Sequence, residues 1–307
     1  MSSFVPVFRR TGSPLHGVRP GVAAAFALAP CVAALTSDHP GVLAAALACV
    51  VVTAAGARVG RELRRAARLA VPLALLVAAI NPLVSREGLT LLAQGPAVPL
   101  YGQLDVTLEA VVYGAVAALR VLVVVLAFAV CSAAVDPDDM LRGLRRVAPR
   151  SALTASLATR MVPLLARDAE RLSEAYGLRA AGVGDGRLRK SAVLARALAA
   201  GGLERAMDTA AALELRGYAL GTRRSGRAPR PWSTDDVAFA LAAAAVVAVA
   251  LGAGLAGIAA FDPYPLLRAD WGSPEAALAL VLPALTLAPF ALAVRRRGAL
   301  RPRGCHA

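Results

Sequence analysis

Lysine is almost missing from this chain: Lys190 is the single one among 34 basic residues. That scarcity excludes one large class directly. A phosphate loop needs glycine immediately before its lysine, so that backbone amides can wrap the phosphates. The one Lys-Ser pair, Lys190-Ser191, follows Arg189 instead, so the chain is not itself an ATPase. Aromatic residues are scarce too, at 5%. Nucleic-acid surfaces interleave aromatics with cations for base stacking, but the basic stretch 136–230 holds only Tyr176 and Tyr218, and no nucleic-acid partner is expected. The four cysteines, Cys31, Cys49, Cys131 and Cys305, show no paired spacing, which argues against a disulfide framework and a zinc site. His16, His39 and His306 have no ligand spacing either, so no metal site is expected. No nucleophile, base and acid stand in a recognisable set, and no catalytic residue is assigned.

What the chain does have is apolar sequence. It is 58% hydrophobic, with a mean hydropathy of +0.61, well above an ordinary soluble domain. The apolar residues gather at about 21–36, 41–57, 69–84, 106–135, 236–260 and 275–294. Crossing the hydrocarbon core takes roughly 20 apolar residues, with about 17 as the lower limit. The last three runs qualify easily, and the first and third are short. The pattern predicts an all-α, polytopic membrane protein with about six transmembrane helices, divided into 1–135 (N-terminal helices), 136–230 (a cytoplasmic region) and 231–307 (C-terminal helices and a basic tail). No small-residue cleavage site follows the first run, so Arg9, Arg10 and Arg19 read as an anchor and not as a signal peptide.

Charge orients the spans. With the N-terminus inside, the inner segments receive every basic residue of the 34 except Arg86, Arg120 and Arg268, while the outer loops carry Asp38, Glu87, Asp105, Asp262 and Asp270. The short flanks decide the orientation, and they put both termini in the cytoplasm. The net charge of +14 then faces anionic lipid headgroups. Heavy alanine and arginine usage points to a GC-rich bacterial genome, hence a bacterial plasma membrane.

Within 136–230 the sequence is helical, punctuated by turns. Asp136-Pro137-Asp138-Asp139 is a helix start, with Asp to cap free amides and Pro for the first turn. A short helix is predicted to about Val147, a second over 151–181 containing Pro163, and a third over 188–220. On the second, Met161, Leu165, Leu172 and Tyr176 share one face, with Arg160, Arg167, Glu170, Arg171 and Glu174 supplying charge. The two long amphipathic helices end alike, in Leu178-Arg179-Ala180 and Leu215-Arg216-Gly217. Arginine in a last turn suits the negative end of the helix dipole, and a small residue closes the helix. The same pair also suits docking into two sockets, and the residues alone leave both readings open.

Arg120 sits mid-run, where a charge is costly and faces the bundle interior. It reads either as a polar interhelical contact or as a snorkelling side chain at a shifted boundary. Asn81, in Ile80-Asn81-Pro82, reads as an interhelical hydrogen bond or a turn residue. Two other functions have requirements of their own. A self-contained permease needs polar groups converging near the midplane, and Arg120 and Asn81 are sparse for that. A membrane prenyltransferase needs facing acidic clusters, and Asp136, Asp138 and Asp139 with Asp235-Asp236 are better explained as helix caps.

The ordered set Ala158-Thr159-Arg160-Met161-Val162-Pro163, Leu178-Arg179-Ala180 and Leu215-Arg216-Gly217-Tyr218 resembles the T component of energy-coupling-factor transporters, including the cobalt-transport type. Leu stands where the family motif has Ala in both copies, and Ala180 stands where the first has Gly; both arginines are kept. The resemblance implies two coupling helices whose tips, Leu178, Arg179, Ala180 and Leu215, Arg216, Gly217, dock on two cytoplasmic ABC ATPase subunits. It further implies a membrane S component that binds a vitamin or metal ion. This chain would bind no cofactor, with ATP and Mg held by the partner ATPases.

Overall fold

Each of the six apolar runs coincides with a helix, and length separates them into kinds. The computed structural model describes residues 12–84, 90–98, 102–144, 148–179, 187–217, 231–257 and 272–299. Its helices are α1 (Pro20–Thr36), α2 (Pro40–Gly56), α3 (Gly60–Val84), α4 (Leu108–Ala134), α5 (Pro137–Leu144), α6 (Pro149–Arg179), α7 (Arg187–Leu215), α8 (Thr234–Leu255) and α9 (Ser273–Ala299). Three are long and apolar enough to cross a membrane: Leu108–Ala134, Thr234–Leu255 and Ser273–Arg296. Two are apolar but shorter, Pro20–Thr36 and Pro40–Gly56. At 17 residues each they extend about 25 Å, against about 30 Å of hydrocarbon. The third run is the apolar end of a longer helix: α3 begins at Gly60, and Arg61, Glu62, Arg64, Arg65 and Arg68 make its first half amphipathic. The fold is all-α, that of a polytopic membrane protein, with one small exception.

That exception is a hairpin, β1 (Leu91–Val98) and β2 (Gly102–Thr107), in a stretch expected to be loop. The strands pair antiparallel, Gln94 opposite Asp105 and Val98 opposite Gly102. The register slips between Gln94 and Ala97, where Gly95-Pro96 falls. Proline cannot donate to the ladder, so it belongs at such an irregularity. The hairpin is tied to α4 where Thr90 donates its amide (3.4 Å) and its hydroxyl to the buried Glu109 carboxylate.

The chain divides into two compact units, one of Met1–Gly143 with Trp232–Ala307 and one of Leu144–Pro231. In the first, α1 packs on α8 and α2 on α9, while α4 lies against α1, α2 and α3. Alanine makes this possible: Ala27, Ala34, Ala46, Ala127 and Ala133 are all buried, and small residues let helix backbones approach when no water is present to drive association. Larger side chains fill one point. Phe26, Phe239 and Phe290 meet edge-to-face with centroids 5.0, 5.8 and 5.1 Å apart, the geometry that ring quadrupoles favour. Gly56 lies under this cluster; a Cβ there would fall 2.5 Å from the Phe290 ring.

The acidic clusters are caps. Asp136 accepts from the Asp138 amide at 3.0 Å at the start of α5. Ser233 and Asp236 form a reciprocal capping box at the start of α8.

Candidate functional site

The second unit is built from α6 and α7. The α6 helix starts at Pro149, two residues before the expected Ser151, because proline fits the first helical position. Its predicted face is present: Met161, Leu165, Leu172 and Tyr176 are half-buried, while Arg160, Arg167, Glu170, Arg171 and Glu174 are exposed. Against that face lies α7. Arg205 Nη1 donates to Asp168 Oδ2 at 2.8 Å. A Cβ on Gly202 would meet Leu165 Cδ2 at 3.6 Å, and Lys190 Nζ lies 5.9 Å from the Tyr176 ring centre. Residue 165 thus neighbours 202 while 176 neighbours 190, so the helices run antiparallel.

Antiparallel packing sends the two Leu-Arg ends to opposite ends of the pair. Leu178 sits beside the start of α7, and Leu215 is roughly 40 Å away along α7 at 1.5 Å per residue. Both leucines project into solvent, 84% and 90% exposed. Burying such a side chain on a partner is worth about 1.5–3 kcal/mol. Arg179 is the last residue of α6, and Ala180 lies outside the described residues, as does Tyr218. The expected end of α7 at Leu220 lies outside the described residues, and the helix stops at Leu215. The cause is Gly217, whose φ of +71° is the left-handed conformation glycine adopts to close a helix. Its amide donates to the Glu214 carbonyl at 2.8 Å, and Arg216 N–H to the Ala212 carbonyl at 3.3 Å. Arg216 is exposed on that turn.

In the other unit, Arg120 reaches from the middle of α4 to the end of α1. Its Nε donates to the Ala34 carbonyl at 2.9 Å and its Nη2 to the Ser37 carbonyl at 3.2 Å, and the guanidinium pairs with Asp38. Carbonyls at a helix C-terminus lack intrahelical donors and carry the negative end of the dipole, so a cation is well placed there. Among the described residues, Asn81 makes no such bridge. Its amide donates back to the Val77 carbonyl of its own helix at 3.2 Å.

One junction had only half a signal in the sequence. Asp236 is fully buried; beyond capping α8 it accepts from the Arg19 amide at 2.8 Å, and the Arg19 guanidinium lies 4.6 Å over the Trp232 ring. The capping box is legible in Ser233-x-x-Asp236, but the remote Arg19 is not. Among the described residues, no three His, Cys, Asp or Glu side chains converge as a metal site would require.

A mostly helical, alanine-packed membrane protein with a second two-helix unit, whose helices end in exposed leucines each followed by an arginine, has the build of a transporter component. The chain belongs to the cobalt transport protein family, CbiQ, whose family model matches residues 11–226, the family of T components of energy-coupling-factor transporters. The match contains both helix tips and ends before α8 and α9. A comparison with curated proteins returned no match.

Proposed function

We propose that this chain is the coupling subunit of an energy-coupling-factor ABC transporter. It sits in a bacterial plasma membrane with both termini cytoplasmic, and it takes up a vitamin or metal ion together with a separate S component. Two cytoplasmic ATPases grip the helix tips, bind ATP and Mg, and close; α6 and α7 carry that movement to the S component. The observation that carries this reading is the pair of tips: two helices of one unit, ending in opposite directions, each presenting a solvent-exposed leucine next to an arginine. A soluble helix hides its leucines, and here the most exposed large apolar side chains of the unit's described residues stand where its helices stop.

Each part of a tip has a chemical use in a socket. The leucine supplies apolar area to bury, and the arginine offers a permanently charged, multi-donor fork for a carboxylate on the ATPase. Glycine or alanine after it keeps the helix end slim enough to enter a groove. Truncating one partner of a desolvated charge pair typically costs about 2–5 kcal/mol. Arg179→Ala with Arg216→Ala is therefore expected to abolish ATPase association and coupled transport while membrane insertion stays intact.

Affinity-tagged protein, solubilised mildly from its native membrane, tests this. Two ATPase copies and a small membrane protein should co-purify with wild type, and the ATPases should be lost from the double variant. Retention of both ATPases and of transport by the double variant would refute the reading. So would transport in liposomes by the chain alone, which would mark a self-contained permease.

A further inference from the structure

Outside the stretch matched by the family model, α8 and α9 do not close on each other along their whole length. Ala238, Ala242 and Ala245 recur on one face of α8, and opposite them α9 presents Ala288 and Pro289. Between them runs a groove of about 560 Å³, a size typical of sites for small ligands, about 300–1,000 Å³. Its walls are apolar, Leu241, Leu285 and Leu292 among them, and polar groups are confined to one end, where Trp232, Ser233, Thr234 and Arg296 stand.

Three observations identify what fits. The first is length. From Thr234 to Ala245 on α8, and from Arg296 back to Leu285 on α9, the groove covers about 17 Å of helix, close to the ~15 Å depth of one leaflet's hydrocarbon. A transmembrane helix of a partner would need a complementary stripe over the full thickness. The second is the interface marker: Trp232 is 57% exposed at the mouth, and tryptophan concentrates at headgroup level. The third is charge. Arg296 is half-exposed, and its Nη1 lies 3.7 Å from Asp235 Oδ1, a long pairing for a group with five donors. Arg295 is exposed beside it, and Arg19 stacks on Trp232. Of the acidic residues there, Asp236 is buried, turned to backbone amides and 4.0 Å from Arg19 Nε, which among the described residues leaves Asp235 facing Arg295 and Arg296.

We propose that this groove holds one acyl chain of an anionic glycerophospholipid from the leaflet on the arginine side, with the lipid phosphate on Arg296. The alanine face of α8 and Ala288 make room for the chain, and Trp232 packs at the glycerol level. Arg296 exchanges its long contact with Asp235 for a forked bond to phosphate, the geometry guanidinium favours. The lipid then fills the gap between α8 and α9, which join the rest of the bundle chiefly through α1 and α2.

The chain's two tryptophans are Trp232 and Trp271, so Trp271→Phe leaves Trp232 as the only reporter. The full-length variant in detergent micelles is titrated with phosphatidylglycerol carrying brominated acyl chains, then with the phosphatidylcholine equivalent. Saturable quenching is expected, with half-saturation at a several-fold lower lipid-to-detergent ratio for phosphatidylglycerol. Ala288→Phe, at an exposed position that fills the groove, should remove the saturable phase. Arg296→Gln should bring phosphatidylglycerol to the phosphatidylcholine value, and Asp235→Asn should strengthen binding. Equal, non-saturating quenching by both lipids overturns the proposal, as does quenching unchanged by Ala288→Phe in protein that elutes like wild type. If Ala288→Phe aggregates, Arg296→Gln decides alone: an undiminished preference for phosphatidylglycerol sinks the idea. Trp232 shielded from both lipids only when partner subunits are bound would make the groove a protein seat, which also overturns it.

Discussion

Asp236 shows how much one carboxylate can join. It accepts from Ser233 N–H at 2.8 Å and from Arg19 N–H at 2.8 Å, and its own amide is capped by the Ser233 hydroxyl at 3.1 Å. Arg19 and Asp236 are 217 positions apart, so the start of α1 is fixed to the start of α8. Asp236→Ala leaves the Ser233 hydroxyl cap in place but takes away the acceptor of the Ser233 amide, about 1 kcal/mol, and strands the Arg19 amide, about 1–3 kcal/mol. The expected loss is about 2–4 kcal/mol, read from denaturant unfolding in mild detergent; Asp236→Asn should lose less, since one amide oxygen can still accept. Equal stability of Asp236→Ala and wild type would show that the junction contributes nothing. Sequence and structure part at this point. Ser233-x-x-Asp236 announces its local cap because capping has a fixed spacing, whereas Arg19 is brought near by the bundle, which no spacing encodes. Arg120 is similar: a charge inside an apolar run announces that a partner exists. Which partner depends on α1 being only 17 residues long, so that its carbonyl end meets the middle of α4.

Helix pairs in this protein are set by where backbones can touch. At the α3–α4 crossing, a Cβ on Gly114 would fall 2.8 Å from the Ala78 carbonyl oxygen and 3.1 Å from Asn81 Cβ. Pro82 has no N–H to bond Ala78 four residues earlier, which leaves that carbonyl turned toward Gly114 and suited to a weak Cα–H···O contact. Gly114→Ala must push backbone against backbone. The expected cost is about 1–3 kcal/mol of overpacking, seen as a lower unfolding midpoint, and trimming a neighbouring side chain should not restore it. Gly56→Ala makes the opposite case, since the obstacle is the Phe290 ring; adding Phe290→Leu should recover part of the loss. A Gly114→Ala variant as stable as wild type would mean that α3 and α4 are not held at this crossing. The helices themselves were legible from apolar runs, proline starts and Asp caps. Their ends were less so: α7 closes at Gly217, because a left-handed glycine ends a helix whatever the propensity of the residues before it. The β1–β2 hairpin was not legible, since Gly95-Pro96 breaks the alternation by which strands are recognised.

The two units divide the composition between them. The first is alanine-packed and apolar, and the second carries its charge outward and its most exposed leucines at its tips. Such a division has meaning only in a membrane with a definite orientation, and the cysteines can report it. Cys31 and Cys49 are buried within apolar helices, and Cys131 lies in α4, while Cys305 belongs to the basic tail. In a Cys131→Ala background, a membrane-impermeant maleimide should leave spheroplasts unlabelled and label Cys305 in inside-out vesicles. A cysteine placed at Leu178, 84% exposed, should follow Cys305 in both preparations, and one placed at Leu215 should do the same. The comparison separates two questions. If all three positions label from the inside, the arginine tips face the compartment that holds ATP, as two ATPase sockets require. If the tips label from outside, α6 and α7 face a compartment without ATP, and the coupling role falls whatever their sequence resembles. If the tips label from inside while Cys305 labels from outside, the coupling role survives but the number of crossings between Pro231 and the tail must be odd, which would remove either α8 or α9 from the spans.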